Sequence, residues 1–187
     1  MNFKEEIEKY VPYNEQEEAD KALMLDCIRN FDDVLTRENK LFHFTASNWI
    51  VNHDRTKVLM IYHNIYQSWA WTGGHADGDS NLEHVALKEA EEETGLKNLK
   101  LLSDGIYGVQ VLGVEPHVKR GKFVSAHTHF DCCYLWEADE NEALKVKEDE
   151  NSGVKWVNIE DVLETTNEKM MKPVYQKLNE KLKFLGR

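Results

Sequence analysis

The chain has 187 residues, of which 41% are hydrophobic and 30% charged, with a formal net charge of −11. It is long enough to bury a sizeable core, too hydrophobic for a disordered chain, and too acidic for general nucleic-acid binding, which needs a basic surface to release counterions. No apolar run approaches the ~20 residues of a membrane span, the N-terminus lacks the order of a signal peptide, and three cysteines without framework spacing fit a cytoplasmic chain.

From Asn14 to about Leu35, the residues Ala19, Ala22, Leu23, Leu25, Ile28 and Phe31 recur roughly at helical spacing, and Asn14 with Glu17 has the form of a capping box. This predicts an N-terminal helix packed on the main domain. Strand-like runs follow at His43 to Asn52, Lys57 to His63, Gly105 to Val114, Ala126 to Ala138 and Val154 to Ile159. One helical pattern lies among them, Asn81 to Thr94, and a second is expected from about Thr166 to Leu182. That order of elements favours an α/β fold, a mixed sheet with helices packed on it.

The segment from Thr72 to Leu96 gathers five glutamates between Glu83 and Glu93, directly after a loop with three glycines. Asn81 or Ser80 suits the cap of a helix starting at Leu82, and Gly95 suits its left-handed end. Glu89, Glu92 and Glu93 stand at i, i+3 and i+4, on one helical face. Like charges there, at the C-terminal end of the helix dipole, destabilise an isolated helix by about a few tenths of a kcal/mol each. A hard divalent cation, Mg²⁺ or Mn²⁺, offsets that repulsion and leaves positions open for phosphate oxygens. A solvated acidic face needs no preceding glycines, so loop and helix together read as one site.

Aligned from Gly74 through Lys88, Glu89, Ala90, Glu92, Glu93 and Gly95 to Leu96, the segment resembles a Nudix box, the signature of Nudix hydrolases. It departs from that pattern at Ser80, where the family has a glutamate, and at Lys88, where it has an arginine. The family pair braces the loop against the helix, and Lys88 remains a cation within expected reach of Asp77 or Asp79. The resemblance implies an α/β/α sandwich with a mixed β-sheet over about residues 40 to 165, and the chain length suits a single domain spanning 1–187. An additional N-terminal helical segment (1–38) and a C-terminal helix (166–187) flank that core.

It also implies hydrolysis of a diphosphate linkage in a small-molecule nucleoside diphosphate derivative or related compound, with Mg²⁺ or Mn²⁺ and, as often in the family, a homodimer. Glu89, Glu92 and Glu93 then hold metal, with Glu89 also a candidate base. Two other readings of the same resemblance are a non-catalytic ligand-sensing module and an isomerase of the isopentenyl diphosphate type. The isomerase needs a cysteine near the metal, for which Cys133 is the candidate.

Residues that the substrate can meet are Gly73, Gly74, His75 and Lys88 in the box, and Arg120, His127, His129 and Glu150 beyond it. Strand alternation places His127, His129 and Asp131 on one face, which reads either as a pocket lining or as a metal cluster. Arg120 and Lys122 suit phosphate oxygens or a solvated turn. Glu148 and Glu150 offer a further acid or a solvated loop, and Trp69 and Trp71 suit either a stacked base or the core.

Overall fold

The computed structural model describes residues 2–119 and 121–185. Helix α1 (Phe3–Lys9) begins where the Asn2 side chain accepts from the Lys4 amide, and α2 (Glu15–Asn30) where Asn14 accepts from the Glu17 amide. The first of these is too short for helical periodicity to announce. The second stops at Asn30, short of the expected Leu35, because the chain leaves to meet the sheet. Phe31 packs edge-on against Phe42 with ring centroids 5.1 Å apart, and the Val34 carbonyl accepts from the Phe44 amide at 2.8 Å.

The strands are β1 (Phe42–Val51), β2 (Lys57–His63), β3 (Ser68–Ala70), β4 (Thr72–His75), β5 (Lys100–Leu101), β6 (Gly108–Val114), β7 (His117–Lys119), β8 (Lys122–Val124), β9 (His127–Glu137) and β10 (Asn151–Asn158). Eight of them form one mixed sheet along the path β10, β2, β1, β9, β5, with β3 on β2, β4 on β1 and β6 on β9. β7 and β8 form a separate hairpin. β1 and β9 run parallel from Phe42 beside Thr128 to Val51 beside Glu137, and the other pairings are antiparallel.

Alternation along the two central strands divides the core. Phe42, Phe44, Ala46, Phe130, Cys132, Tyr134 and Trp136 pack with α1, α2 and α3 (Leu82–Thr94). On the opposite face, Trp49, Cys133 and Leu135 pack with α5 (Lys172–Leu182), whose Tyr175 ring stacks on Trp49 at 5.2 Å. The result is the expected α/β/α arrangement, a mixed sheet between helical layers.

The C-terminal helix starts six residues later than expected. A short α4 (Val162–Thr165) precedes it, and Thr166 is extended and buried, with its Oγ1 3.2 Å from Ser68 Oγ. Asn167 also donates its amide to Ser68 Oγ at 2.9 Å, so this stretch is held against β3. Pro173 lies in the first turn of α5, where the absent N–H has no helical partner to lose.

The N-terminal segment is joined to α5 through a buried ion cluster. Glu17, with no exposed surface, lies 2.9 Å from Lys177 Nζ and 3.4 Å from Lys181 Nζ, and accepts from the Tyr13 amide and the Tyr10 hydroxyl. Lys177 also donates to the Val109 carbonyl and Gln110 Oε1, both at 3.0 Å. Burial alone would raise the Glu17 carboxyl, but the two ammonium groups outweigh it and hold it below the usual range. Glu17→Ala strands Lys177 without a counter-charge and should lower stability by about 3–5 kcal/mol in denaturant unfolding. The double change Glu17→Ala with Lys177→Met should recover part of that loss.

Candidate active site

Helix α3 is seated on the sheet by one buried amide. Asn48 on β1 donates to Thr72 Oγ1 at 3.0 Å and to the Ala86 carbonyl at 2.9 Å, and accepts from Trp136 Nε1 at 2.8 Å. Asn81 accepts from the His84 amide at the start of α3, and Gly95 (φ 78°) closes the end by donating to the Glu91 carbonyl at 2.9 Å.

The glycines of the box serve close approach. A Cβ on Gly73 would stand 2.7 Å from the Ala46 carbonyl oxygen of β1, and one on Gly74 would stand 2.4 Å from the Glu89 carboxyl carbon. Gly73 is moreover committed to the helix, since its amide donates to Glu93 Oε2 at 3.0 Å.

The three carboxylates have different surroundings. Glu93 is buried at 3% exposure, and its carboxyl is pushed up to about 8, chiefly by burial, with the Gly73 amide opposing and Glu89 and Glu150 adding to the rise. Glu89 is also raised by burial, against the pull of Lys147. Glu92 is the more open one, 3.1 Å from Lys147 Nζ and 3.8 Å from Lys88 Nζ.

Lys147, which sequence reasoning passed over, is the cation at the centre of this group. It lies 2.8 Å from Glu150 as well as against Glu92, and although partial burial opposes it, the bonds to both acids hold its ammonium charged well above the ordinary lysine range. Its loop is docked on the end of α3: Asn151 donates to the Glu93 carbonyl at 3.2 Å and accepts from the Lys147 amide at 3.1 Å. Glu150 therefore belongs to the acid cluster, whereas Glu148 is exposed.

The brace between loop and helix differs from the expected one. Lys88 turns to Glu92 instead of Asp77 or Asp79. Asp79 is engaged by His84 Nδ1 at 2.8 Å and the Asn81 amide at 2.8 Å, and Asp77 by a two-pronged Arg37 contact with both distances 2.7 Å. Arg37 comes from the segment before β1, a long-range pairing with no signature in the box.

Of the outlying candidates, His75, His127 and His129 come together, and the structure adds His43 to them. Their ring centroids are 4.9–5.1 Å apart for the pairs formed by His43 with each of the others and by His129 with His75 and His127. Burial holds the His43 ring below the ordinary imidazole range. Asp131 does not join them. It is buried and accepts from Ser47 Oγ at 2.6 Å, Gln110 Nε2 at 2.7 Å and Thr45 Oγ1 at 2.8 Å, while burial pushes its carboxyl up to about 6. The reading of His127, His129 and Asp131 as one metal cluster is corrected accordingly.

Arg120 lies outside the described residues, and Lys122 is exposed on the β7–β8 hairpin. Trp69 and Trp71 are half-buried against the second core, with Trp71 edge-on to Tyr175 at 5.6 Å. Cys133 is a core residue whose thiol burial pushes far up, which removes the cysteine that the isomerase reading required. No helix among the described residues is long and apolar enough to cross a membrane.

The acid cluster fits a hard divalent cation, because its donors are carboxylate oxygens and it already draws in one cationic group, the Lys147 ammonium. Residues 41–178 match the model of the NUDIX domain. The chain belongs to the Nudix family, whose enzymes are pyrophosphohydrolases acting on phosphoric anhydride bonds. Solved structures share the fold at low identity. An Ap4A hydrolase from C. elegans in a binary complex is 17% identical with a TM-score of 0.57, covering 75% of this chain and 98% of its own. A NUDIX family hydrolase from Clostridium perfringens is 22% identical (TM-score 0.54; 76% and 97% covered). The NUDIX domain of Shewanella oneidensis NrtR, complexed with ADP ribose, is 20% identical (TM-score 0.55; 84% and 97% covered). No curated protein matches the sequence.

The two glycines should separate stability from activity. Gly73→Ala meets backbone and should lower the melting temperature, whereas Gly74→Ala meets the end of a flexible side chain and should displace Glu89, lowering turnover with a smaller stability loss. Glu93 also sets a pH dependence. Its folded value near 8 lies above the ordinary ~4.3 of an unfolded glutamate, so its contribution is present below that value and lost as pH rises toward 8. In chelator, the melting temperature should fall from pH 5 to pH 8 and Glu93→Gln should flatten the fall; a divalent cation should restore stability at the alkaline end.

Proposed function

We propose that the protein is a metal-dependent hydrolase that cleaves the diphosphate linkage of a nucleoside diphosphate derivative or a related compound. The observation that carries this is the clustering of Glu89, Glu92, Glu93 and Glu150 at the glycine turn, with Glu93 buried and Lys147 held among the acids. Mg²⁺ or Mn²⁺ held by Glu89, Glu92 and Glu93 would neutralise phosphate oxygens.

Glu89, which lies against the glycine turn where the phosphate would be bound, is suited to take a proton from the attacking water. The water oxygen bonds to phosphorus, the anhydride P–O bond breaks, and the leaving phosphate departs with the bonding electrons. Gly74, lacking a side chain, lets the Glu89 carboxyl lie directly against that turn. Lys88 and Lys147, once released from Glu92, can pair with phosphate oxygens at the rim. Ap4A hydrolase and an ADP-ribose complex among the structural relatives support a nucleotide-derived substrate. The helices of residues 1–38 act as an extension that steadies the core, and the free Cys27, Cys132 and Cys133 suit a cytoplasmic protein.

The test is release of phosphate or monophosphate from a panel of nucleoside diphosphate derivatives with Mg²⁺ or Mn²⁺. Glu92→Gln and Glu93→Gln should each lower kcat/KM by about 10²–10⁴-fold with an unchanged circular dichroism spectrum. Tight binding of a panel member that survives both substitutions, with no turnover of any, would instead identify a ligand-sensing module.

A further inference from the structure

Four imidazoles converge on the sheet face opposite α3. Alternation along β1 sends Phe42, Phe44 and Ala46 toward that helix, and His43, Thr45 and Ser47 the other way. The ladders complete the group. His43 is level with His129 on β9, and Thr45 is level with His75 on β4. One nitrogen from each of His43, His75 and His129 lies within 4.8 Å of the others.

The hydrogen bonds fix the state of two rings. A carbonyl oxygen only accepts, so His43 Nδ1, 3.2 Å from the Asn39 carbonyl, carries the proton and leaves Nε2 as a lone pair. The ring is 4% exposed, and that Nε2 has no hydrogen-bond partner among the described residues. A desolvated acceptor left in this state costs free energy unless something occupies it. An imidazole whose Nδ1–H is pinned by a backbone carbonyl, with Nε2 left for the cluster, is oriented as metal-binding histidines are. His127 repeats the pattern, with Nδ1 2.9 Å from the Ser125 carbonyl and Nε2 3.1 Å from His129 Nε2. Two nitrogens on one tetrahedral zinc, each at about 2.0–2.1 Å, stand about 3.3 Å apart, close to that spacing.

We propose that His43, His75 and His129, joined by His127, form a second metal centre that takes a borderline transition-metal ion, Zn²⁺ above all, separate from the carboxylate site on α3. The donor set decides the class of ion. Imidazole suits Zn²⁺ and its neighbours and is a poor match for Mg²⁺, and the nearest acid on the same strand face, Asp131, is taken by Thr45, Ser47 and Gln110. The centre clamps β1, β4 and β9 at one point. Because His75 directly follows Gly74, an ion there also holds the strand that leads into the glycine turn.

Metal-free protein is titrated with Zn²⁺ and with Co²⁺ in excess Mg²⁺, alongside Glu92→Gln. One Zn²⁺ should bind per chain, Co²⁺ should give the visible absorption of nitrogen-rich tetrahedral coordination, and the melting temperature should rise. His43→Gln and His129→Gln should each weaken Zn²⁺ binding by at least ~100-fold, while Glu92→Gln retains it. The wild-type Co²⁺ spectrum, together with histidine ring shifts in NMR on adding Zn²⁺, tests the centre without relying on the folding of any variant. Failure of the wild type to bind Zn²⁺, or binding lost in Glu92→Gln and kept in folded His43→Gln, would overturn the proposal.

Discussion

The parallel pairing of β1 with β9 is the constraint on which the rest of the structure depends. Its ten-residue register, Phe42 with Thr128 through Val51 with Glu137, sorts every side chain of both strands to one face or the other. A slip of β1 by one residue would exchange its two faces, placing His43 under α3 and Phe44 on the opposite side. Asn48 lies in the middle of this ladder and joins β4, α3 and β9 through three hydrogen bonds. Since Asn48 is buried, each bond left unmade would cost the desolvation of a polar group. The same strand thus sets the height of the acidic helix and the level at which the histidines meet.

Three buried carboxylates illustrate how different partners give one residue class different roles. Glu17 has two ammonium groups and stays charged, which ties the N-terminal helices to α5. Asp131 has three uncharged donors and is raised to about 6, a satisfied polar node in the core. Glu93 has one backbone donor and two neighbouring acids, and it is raised furthest of these. Only the last is held in a state that a divalent cation would relieve, and it is the one on the acidic face of α3. Lys147 supplies part of that relief from within the chain, its ammonium lying between Glu92 and Glu150 and lowering Glu93 through its charge.

The sheet, the N-cap and C-cap of α3 and the acid face were legible because they rest on local rules: alternation, helical spacing, and the conformational latitude of glycine. The elements missed were the short ones. α1, β3, β4 and β5 owe their form to tertiary contacts, as Phe3 does by packing edge-on to Phe44 at 5.3 Å. Lys147 and Arg37 were missed for a related reason, since Lys147 reaches Glu92, and Arg37 reaches Asp77, across the fold. His43 did carry a signal. In the run Phe42 to Ser47, polar residues alternate with apolar ones, which marks His43, Thr45 and Ser47 as sharing a face before any partner strand is known.

By itself the sequence determined the family, the fold class and the three glutamates of the acidic face, because motif spacing and side-chain periodicity are properties of a single segment. Tertiary structure alone decided which charges meet. It gave Asp131 to Ser47, Gln110 and Thr45 and left the histidines as a group of their own. It turned Lys88 to Glu92, and it brought Lys147 and Glu150 against α3. The physical reason is that strand register and loop docking couple residues far apart in the chain, and a charge is stabilised by what lies within a few ångströms of it, wherever in the sequence that neighbour stands.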